Sequence, residues 1–242
     1  MIPIRATAAG GKRLLRLSNI VPFAQAAGSG ALDIPVLTAT GKILLLVVCG
    51  DVNATVESPY TITYDLGGSG NVFTQHKAVG GGEASGRPRL VIASVTGVPV
   101  TGVSKNIRLA TFAASLSAWN VLTADLPTWW SGTVGNVDAT AANGAVNAYT
   151  SPSISTGVRN SLLVGAGGAQ DATLGALAIG GAGGAWNLLA AQTQSGTSAA
   201  NYQALFASKI VPAAGTAVTM AVSTVSGSNS SNWAAGLVEI RP

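Results

Sequence analysis

Short runs of aliphatic and β-branched residues, separated by glycine-rich turns, dominate the pattern of hydrophobic and polar positions along the chain. The segments 60–64 and 216–222 alternate apolar and polar side chains, a period typical of strands with one buried face. The longest strongly apolar run, Ile43 to Cys49, does not alternate. No segment of about twelve residues carries a helical stripe. The pattern therefore predicts an all-β sandwich or barrel.

The predicted strands fall into two groups. They are Ile34–Thr38, Lys42–Cys49, Tyr60–Tyr64, Val72–Ala78, Arg89–Val95, Asn106–Phe112 and Ala118–Asp125, then Ser161–Ala166, Thr173–Ile179, Trp186–Gln192, Tyr202–Ile210, Ala217–Thr224 and Trp233–Ile240.

Parts of the two groups resemble each other. Trp119–Leu126 and Trp233–Ile240, about 114 residues apart, both run from tryptophan through small or polar and aliphatic residues to an acid and a final aliphatic residue. Upstream, Ile43–Gly50 aligns with Ser161–Gly168. These matches predict two pseudo-repeated β halves, which either close one core or stand as twin lobes.

Four regions follow from these boundaries. They are a basic arm at 1–30, a first half at 31–126, a connector at 127–156 that crosses the surface, and a second half at 157–242. A strand exchange across the connector would instead make the halves one inseparable domain.

Charged residues make up only 9% of the 242 residues, against about 25% in ordinary soluble proteins. The surface must therefore consist mainly of small neutral residues, which suits a protein packed against neighbours in an oligomeric assembly. An extracellular or unusually robust protein is the alternative.

The net charge of +4 is concentrated near the N-terminus, in a segment without acids. Its basic residues are Arg5, Lys12, Arg13 and Arg16. We interpret this segment as an arm that docks on an acidic protein surface, with strand addition by 14–20 to a neighbour's sheet. A solvated tail is the alternative; nucleic-acid binding would need a longer basic stripe.

Redox and membrane signals are weak. The single cysteine, Cys49, cannot form an internal disulfide and is interpreted as a buried apolar residue. No apolar run approaches the roughly 20 residues of a membrane helix. Ser18, Asn19 and Pro22 interrupt any signal-peptide core.

Most of the chain resembles a known group of proteins, on motifs that lie mainly in the second half. The resemblance rests on four motifs: the "LLV-small-small-Gly" run of Ser161–Gly168, Trp186, the Val211–Gly215 turn and the closing Trp233–Glu239 strand. This combination resembles uncharacterised virion proteins of tailed bacteriophages, over about residues 40–242. The resemblance implies a jelly-roll-like β-sandwich of a phage particle and carries over no active site. The basic arm and the insertion near 87–105 depart from the pattern.

Few residues suggest catalysis. His76 is the only histidine and has no nucleophile beside it in the sequence, which favours a packing or surface role. Asp125 and Glu239 close equivalent strands and could form a glycosidase pair, although pairing with Arg108 or Arg241 is the simpler interpretation. Nucleophile-elbow and phosphate-loop motifs are missing from the sequence. We expect no enzyme activity, metal or cofactor.

Aromatic residues in the connector are the candidate host contact. Trp129, Trp130 and the later Tyr149 could stack on sugar rings of a host glycan. The alternative is that both tryptophans cap the seam between the halves.

Together these features predict a non-enzymatic protein on the surface of a phage virion. Its expected place is a peripheral part of the tail, tail fibre or baseplate, in contact with other virion proteins. A capsid decoration protein is one alternative, and a secreted carbohydrate-binding or glycan-degrading module is an alternative of another class.

Overall fold

A computed structural model describes most of the chain. The described residues are 15–28, 32–51, 61–64, 71–80, 88–110, 116–146, 148–171, 177–182, 184–195, 201–224 and 230–242. Throughout these residues the regular secondary structure is β-strand, so the predicted all-β class is confirmed.

Eight strands belong to the first part of the chain, and all of them pair antiparallel. They are β1 (Ser18–Gly28), β2 (Leu32–Val36), β3 (Lys42–Asp51), β4 (Thr61–Tyr64), β5 (Thr74–Val79), β6 (Pro88–Thr96), β7 (Lys105–Ala110) and β8 (Leu116–Asp125). They form a five-stranded sheet in the order β1-β8-β3-β6-β5 and a three-stranded sheet in the order β2-β7-β4.

Ten strands follow, again antiparallel. They are β9 (Val134–Val146), β10 (Ala148–Thr150), β11 (Ile154–Ser155), β12 (Ser161–Asp171), β13 (Leu177–Gly180), β14 (Asn187–Ser195), β15 (Asn201–Val211), β16 (Ala217–Val218), β17 (Ala221–Thr224) and β18 (Ser230–Ile240). The sheets are β14-β15-β12-β18-β9, β10-β17-β13 and the short pair β11-β16.

The sheets of the two parts share one order of pairing. If β9 is matched to β1, β12 to β3, β14 to β5, β15 to β6 and β18 to β8, the second five-stranded order repeats the first. A register shift also falls at matching places in β5 and β14, where His76 and Leu189 respectively are the extra residues. Such β-bulges re-aim individual side chains at the edge of a sheet.

The described strands stack in four layers, with the five-stranded sheets in the middle. Leu44, Leu46 and Val48 of β3 lie in a core between the two large sheets. Ile43 and Leu45 lie in a second core against the first small sheet. Because successive side chains of a strand point to opposite faces and both faces are covered, the run 43–49 is continuously apolar.

The two five-stranded sheets stack face to face, with the edge strands of one over the edge strands of the other. β1 contacts β14, β3 contacts β12, and β5 contacts β9, the last pair also through a Lys77–Asp138 salt bridge of 3.0 Å. Glycines allow this close approach: a Cβ on Gly168 would lie 2.2 Å from Cγ1 of Val48. The two parts therefore share one apolar core, which we call the junction core and define as the cluster between the five-stranded sheets.

Two predicted boundaries need correction. Strand β1 falls inside the segment 1–30, yet it pairs with β8 of its own chain instead of a neighbour's sheet. Leu15, just before it, is completely buried in the junction core. Strand β9 falls inside the predicted connector, yet it is the edge strand beside β18. Both segments contain apolar positions that complete a large sheet. Arg16 is exposed, whereas Arg5, Lys12 and Arg13 lie outside the described residues.

Candidate functional site

The predicted aromatic contact is largely buried. Trp130 is 0% exposed and packs in the junction core, and its indole Nε1 donates to the carbonyl of Thr133 at 3.2 Å. Trp129 is half-buried against the same core. Tyr149 is also buried and stacks on Trp233 with ring centroids 5.3 Å apart. The assignment of Trp130 and Tyr149 to glycan stacking is therefore wrong, because neither ring face is open to solvent.

Glu239 is a buried loop anchor. Its carboxylate accepts hydrogen bonds from Ser161 Oγ at 2.6 Å and from the amides of Gly157 at 2.7 Å and Asn136 at 3.0 Å. Arg241 approaches it to 3.1 Å, which confirms that predicted pairing. Burial alone would raise the pKa of Glu239, but the hydrogen bonds from Ser161, the two amides and Arg241 outweigh it, and the pKa is lowered.

Asp125 has a similar position in the first part of the chain. It accepts hydrogen bonds from Thr38 Oγ1 and from the amide of Ala39, both at 2.7 Å. Arg108 does not reach it, but forms a two-point ion pair with Asp33 at 2.7 Å. Asp125 and Glu239 thus each hold the loop that leads into a central strand. Enclosed carboxylates with these partners are not arranged to flank a glycosidic bond.

A polar cavity of about 200 Å³ opens beside β5 and β6, at the edge of the first five-stranded sheet. It is lined by Asn71, Val72, Thr74, His76, Ser94, Val95, Thr96 and Gly132. His76 Nε2 lies 2.8 Å from Ser94 Oγ, a contact between residues 18 positions apart that sequence spacing did not indicate. Partial burial lowers the pKa of His76, so its imidazole is neutral near pH 7.

The His76–Ser94 pair meets one requirement of nucleophilic catalysis, a base within hydrogen-bond reach of a hydroxyl. Ser94 is only 4% exposed, however, and lies inside β6, which pairs on both sides with β3 and β5. Its amide belongs to the sheet and is not placed to bind an oxyanion. The described residues that line this cavity can donate and accept hydrogen bonds, and none of them is charged.

A second cavity, of about 330 Å³, lies at the matching place in the second part of the chain. The pair Thr74–Ser94 beside the bulge residue His76 corresponds to the pair Asn187–Ser208 beside the bulge residue Leu189. The lining is different: it combines the polar Arg16, Asn187 and Ser208 with six aliphatic residues, Leu15, Leu17, Ile20, Leu162, Leu189 and Ile210. The two cavities thus lie at equivalent places in the two parts of the chain, and the single histidine lines only the first of them.

Lys209 is a further polar group that sequence reasoning missed. It lies in β15 and is almost completely buried, donates to the carbonyl of Gly184 at 2.6 Å, and stands 5.6 Å from the centre of the Trp186 ring. Burial lowers the pKa of Lys209. These contacts fasten the segment before β14 to the sheet.

The described residues contain no group of three side chains able to hold a metal ion and no helix that could span a membrane. Cys49 is buried, as predicted. Comparison of the chain with protein-family models, curated proteins and solved structures found no match.

Proposed function

We propose that this protein is a non-enzymatic structural component of a bacteriophage particle, placed at the periphery of the tail, tail fibre or baseplate. One observation carries most weight: the two acids that could have formed a catalytic pair, Asp125 and Glu239, are enclosed and hold loops. Capsid decoration is the second location that the same features support.

The architecture supports an assembly role. We infer that each half is a jelly-roll-type sandwich and that the halves arose by duplication, since the order β1-β8-β3-β6 facing β2-β7-β4 recurs as β9-β18-β12-β15 facing β10-β17-β13. With 9% charged residues, the outer surface has little charge to oppose packing against neighbours. The charge-poor surface suits a protein that packs in repeated copies in a particle. The resemblance to phage virion proteins supports the same role.

Purified particles of the phage that encodes this chain test the proposal. Immunolabelling should find the protein on the particle surface in repeated copies, and its absence from purified virions would defeat the structural role. Turnover of a capsular polysaccharide by the isolated protein would instead favour the rival class, a secreted glycan-degrading module.

The basic N-terminal segment remains the proposed docking element, now limited to residues 1–14 with the exposed Arg16. Exposed ion pairs contribute only about 0–1 kcal/mol each, so several charges must act together. Deleting residues 1–14 should leave a folded protein that no longer enters particles. Normal incorporation of the shortened chain would show that docking uses another surface.

A further inference from the structure

We infer that the polar cavity around His76 and Ser94 is a binding site for a single neutral sugar residue. The inference does not depend on where the protein resides, because it concerns the cavity itself. It also replaces the buried Trp130 and Tyr149 with a different surface as the candidate glycan contact.

The lining determines the class of ligand. Asn71, Thr74, His76, Ser94 and Thr96 each offer both a donor and an acceptor when the imidazole is neutral. Sugar hydroxyls also donate and accept, so they can pair with such groups in either direction. The methyl groups of Val72 and Val95 provide an apolar patch for the C–H face of a ring.

Charge disfavours an anionic ligand. Among the residues that the structure describes, no charged side chain lines the cavity, and an anion taken out of water without a partner is strongly penalised. Two lysines beside lining residues are engaged elsewhere. Lys42, which pairs with Thr96 across the sheet, donates to the carbonyls of Thr128 and Trp130, and Lys77, next to His76, is paired with Asp138.

The size of the cavity and its access to solvent decide how much of a glycan can bind. A cavity of about 200 Å³ is smaller than the roughly 300–1,000 Å³ of sites for drug-sized ligands, which suits one ring and not an oligosaccharide. Val72 is 62% exposed, and Thr74 and Thr96 are also exposed, so a terminal or branching sugar could enter from solvent. His76 is the bulge residue of the edge strand β5. The matching bulge residue in β14 is Leu189.

The only histidine of the chain provides a direct probe. Its ring signals in a ¹H–¹³C NMR spectrum need no assignment, and they should shift saturably when glucose, galactose, mannose, rhamnose or N-acetylglucosamine is titrated at constant pH. One small ring with a few hydrogen bonds gives an expected dissociation constant in the millimolar range. Sodium phosphate and sodium acetate serve as anionic probes.

Variants test the contact residues by calorimetric titration or amide shifts. His76→Leu, which installs the residue type found at the matching bulge of the second cavity, should weaken binding by about tenfold or more, and Thr96→Val by up to about tenfold, since each removes a hydrogen bond. The exposed Thr150→Val is the matched control and should leave binding unchanged. Thr96→Val keeps the shape of an exposed side chain, so it remains informative if His76→Leu does not fold.

Three results would overturn the inference. They are the lack of a shift with any of the five sugars, a shift with phosphate or acetate alone, and sugar binding of unchanged strength in both His76→Leu and Thr96→Val.

Discussion

Strands β3 and β12 both occupy the middle of a five-stranded sheet, yet they contribute very different volumes. Their registers with β8 and β18 place Leu45 and Val47 where the second half has Gly165 and Gly167. A Cβ on Gly165 would lie 2.5 Å from Sδ of Met220, and one on Gly167 would lie 3.1 Å from Cε2 of Tyr149.

Each half has a core between its five-stranded sheet and its small sheet. In the first half the central strand contributes large side chains to this core, whereas in the second half Tyr149 and Met220 on the opposite side occupy the space that its glycines leave. Close packing fixes the total volume between two sheets but not the side from which it comes. The comparison teaches that two sheets with the same order of strands can fill the space beside them with large side chains from opposite sides.

The largest expected effect concerns the core that the halves share. Replacing Trp130 by alanine removes a completely buried aromatic from it and should lower the free energy of unfolding by about 3–5 kcal/mol. The half-buried Trp129 is the control, and its alanine variant should lose clearly less. Denaturant unfolding measures both, and equal small losses would contradict the burial of Trp130.

The next effect concerns the close approach of the two large sheets. Gly168→Ala would place a Cβ 2.2 Å from Val48 Cγ1 and 2.9 Å from the carbonyl oxygen of Gln203. Overpacking of this kind should cost about 1–3 kcal/mol in unfolding free energy. Gly180→Ala is the matched control because a Cβ there meets nothing within 4 Å. If both variants were equally stable, the sheets would not be in contact at Gly168.

The two loop anchors allow a direct test of one half against the other. In Glu239→Gln, an amide NH₂ must face backbone amides that can only donate, so we expect a loss of about 2 kcal/mol. Asp125→Asn should lose about 1 kcal/mol, because the amide oxygen can keep the hydrogen bond from the amide of Ala39 and only the hydrogen bond from the Thr38 hydroxyl is lost. Urea unfolding of the two variants measures the difference, and a larger loss for Asp125→Asn would contradict it.

The stabilisation by Glu239 should also depend on pH. Its pKa is lower in the folded protein than the ordinary value of 4.5, so the contribution is complete above the unfolded pKa and is lost as the pH falls through the folded pKa. The gap between wild type and Glu239→Gln should therefore narrow in acid. A gap that widens in acid would show that the pKa of Glu239 is raised.

The smallest effect concerns Lys209, which stands where the first half has Val95, as the pairings with Leu163 and Ile43 indicate. Lys209→Met should cost about 1 kcal/mol, through loss of its hydrogen bond to Gly184 and its contact with the Trp186 ring. Thermal unfolding followed by Trp fluorescence measures it. An increase in stability would show that burying the ammonium costs more than its contacts return.

Sequence patterns predicted the class of fold because apolar runs such as 43–49 and alternating segments such as 60–64 depend on local burial. They missed β1 and β9, whose exposed or small residues give little periodic signal at the edge of a sheet. They also aligned Ile43 with Ser161, whereas the registers match it to Leu163. A two-residue slip leaves every side chain on its face, so hydrophobicity alone cannot detect it.

The candidate site was less accessible to sequence reasoning. The contact of His76 with Ser94 depends on a bulge and on the pairing of β5 with β6, neither of which leaves a motif. The pairing of Glu239 with Arg241 was predicted because the two residues are neighbours in the sequence. Trp130 resembled a surface residue because the connector has the composition of a loop, and only the stacking of the large sheets buries it.

The most direct test of the shared core is differential scanning calorimetry of the full chain. Because residues of both halves fill the junction core, neither half should melt alone. We expect one transition whose calorimetric and van't Hoff enthalpies agree, and Trp130→Ala should move it as a whole to lower temperature. Two separate transitions, with only one of them moved by Trp130→Ala, would contradict the conclusion that the halves form one body.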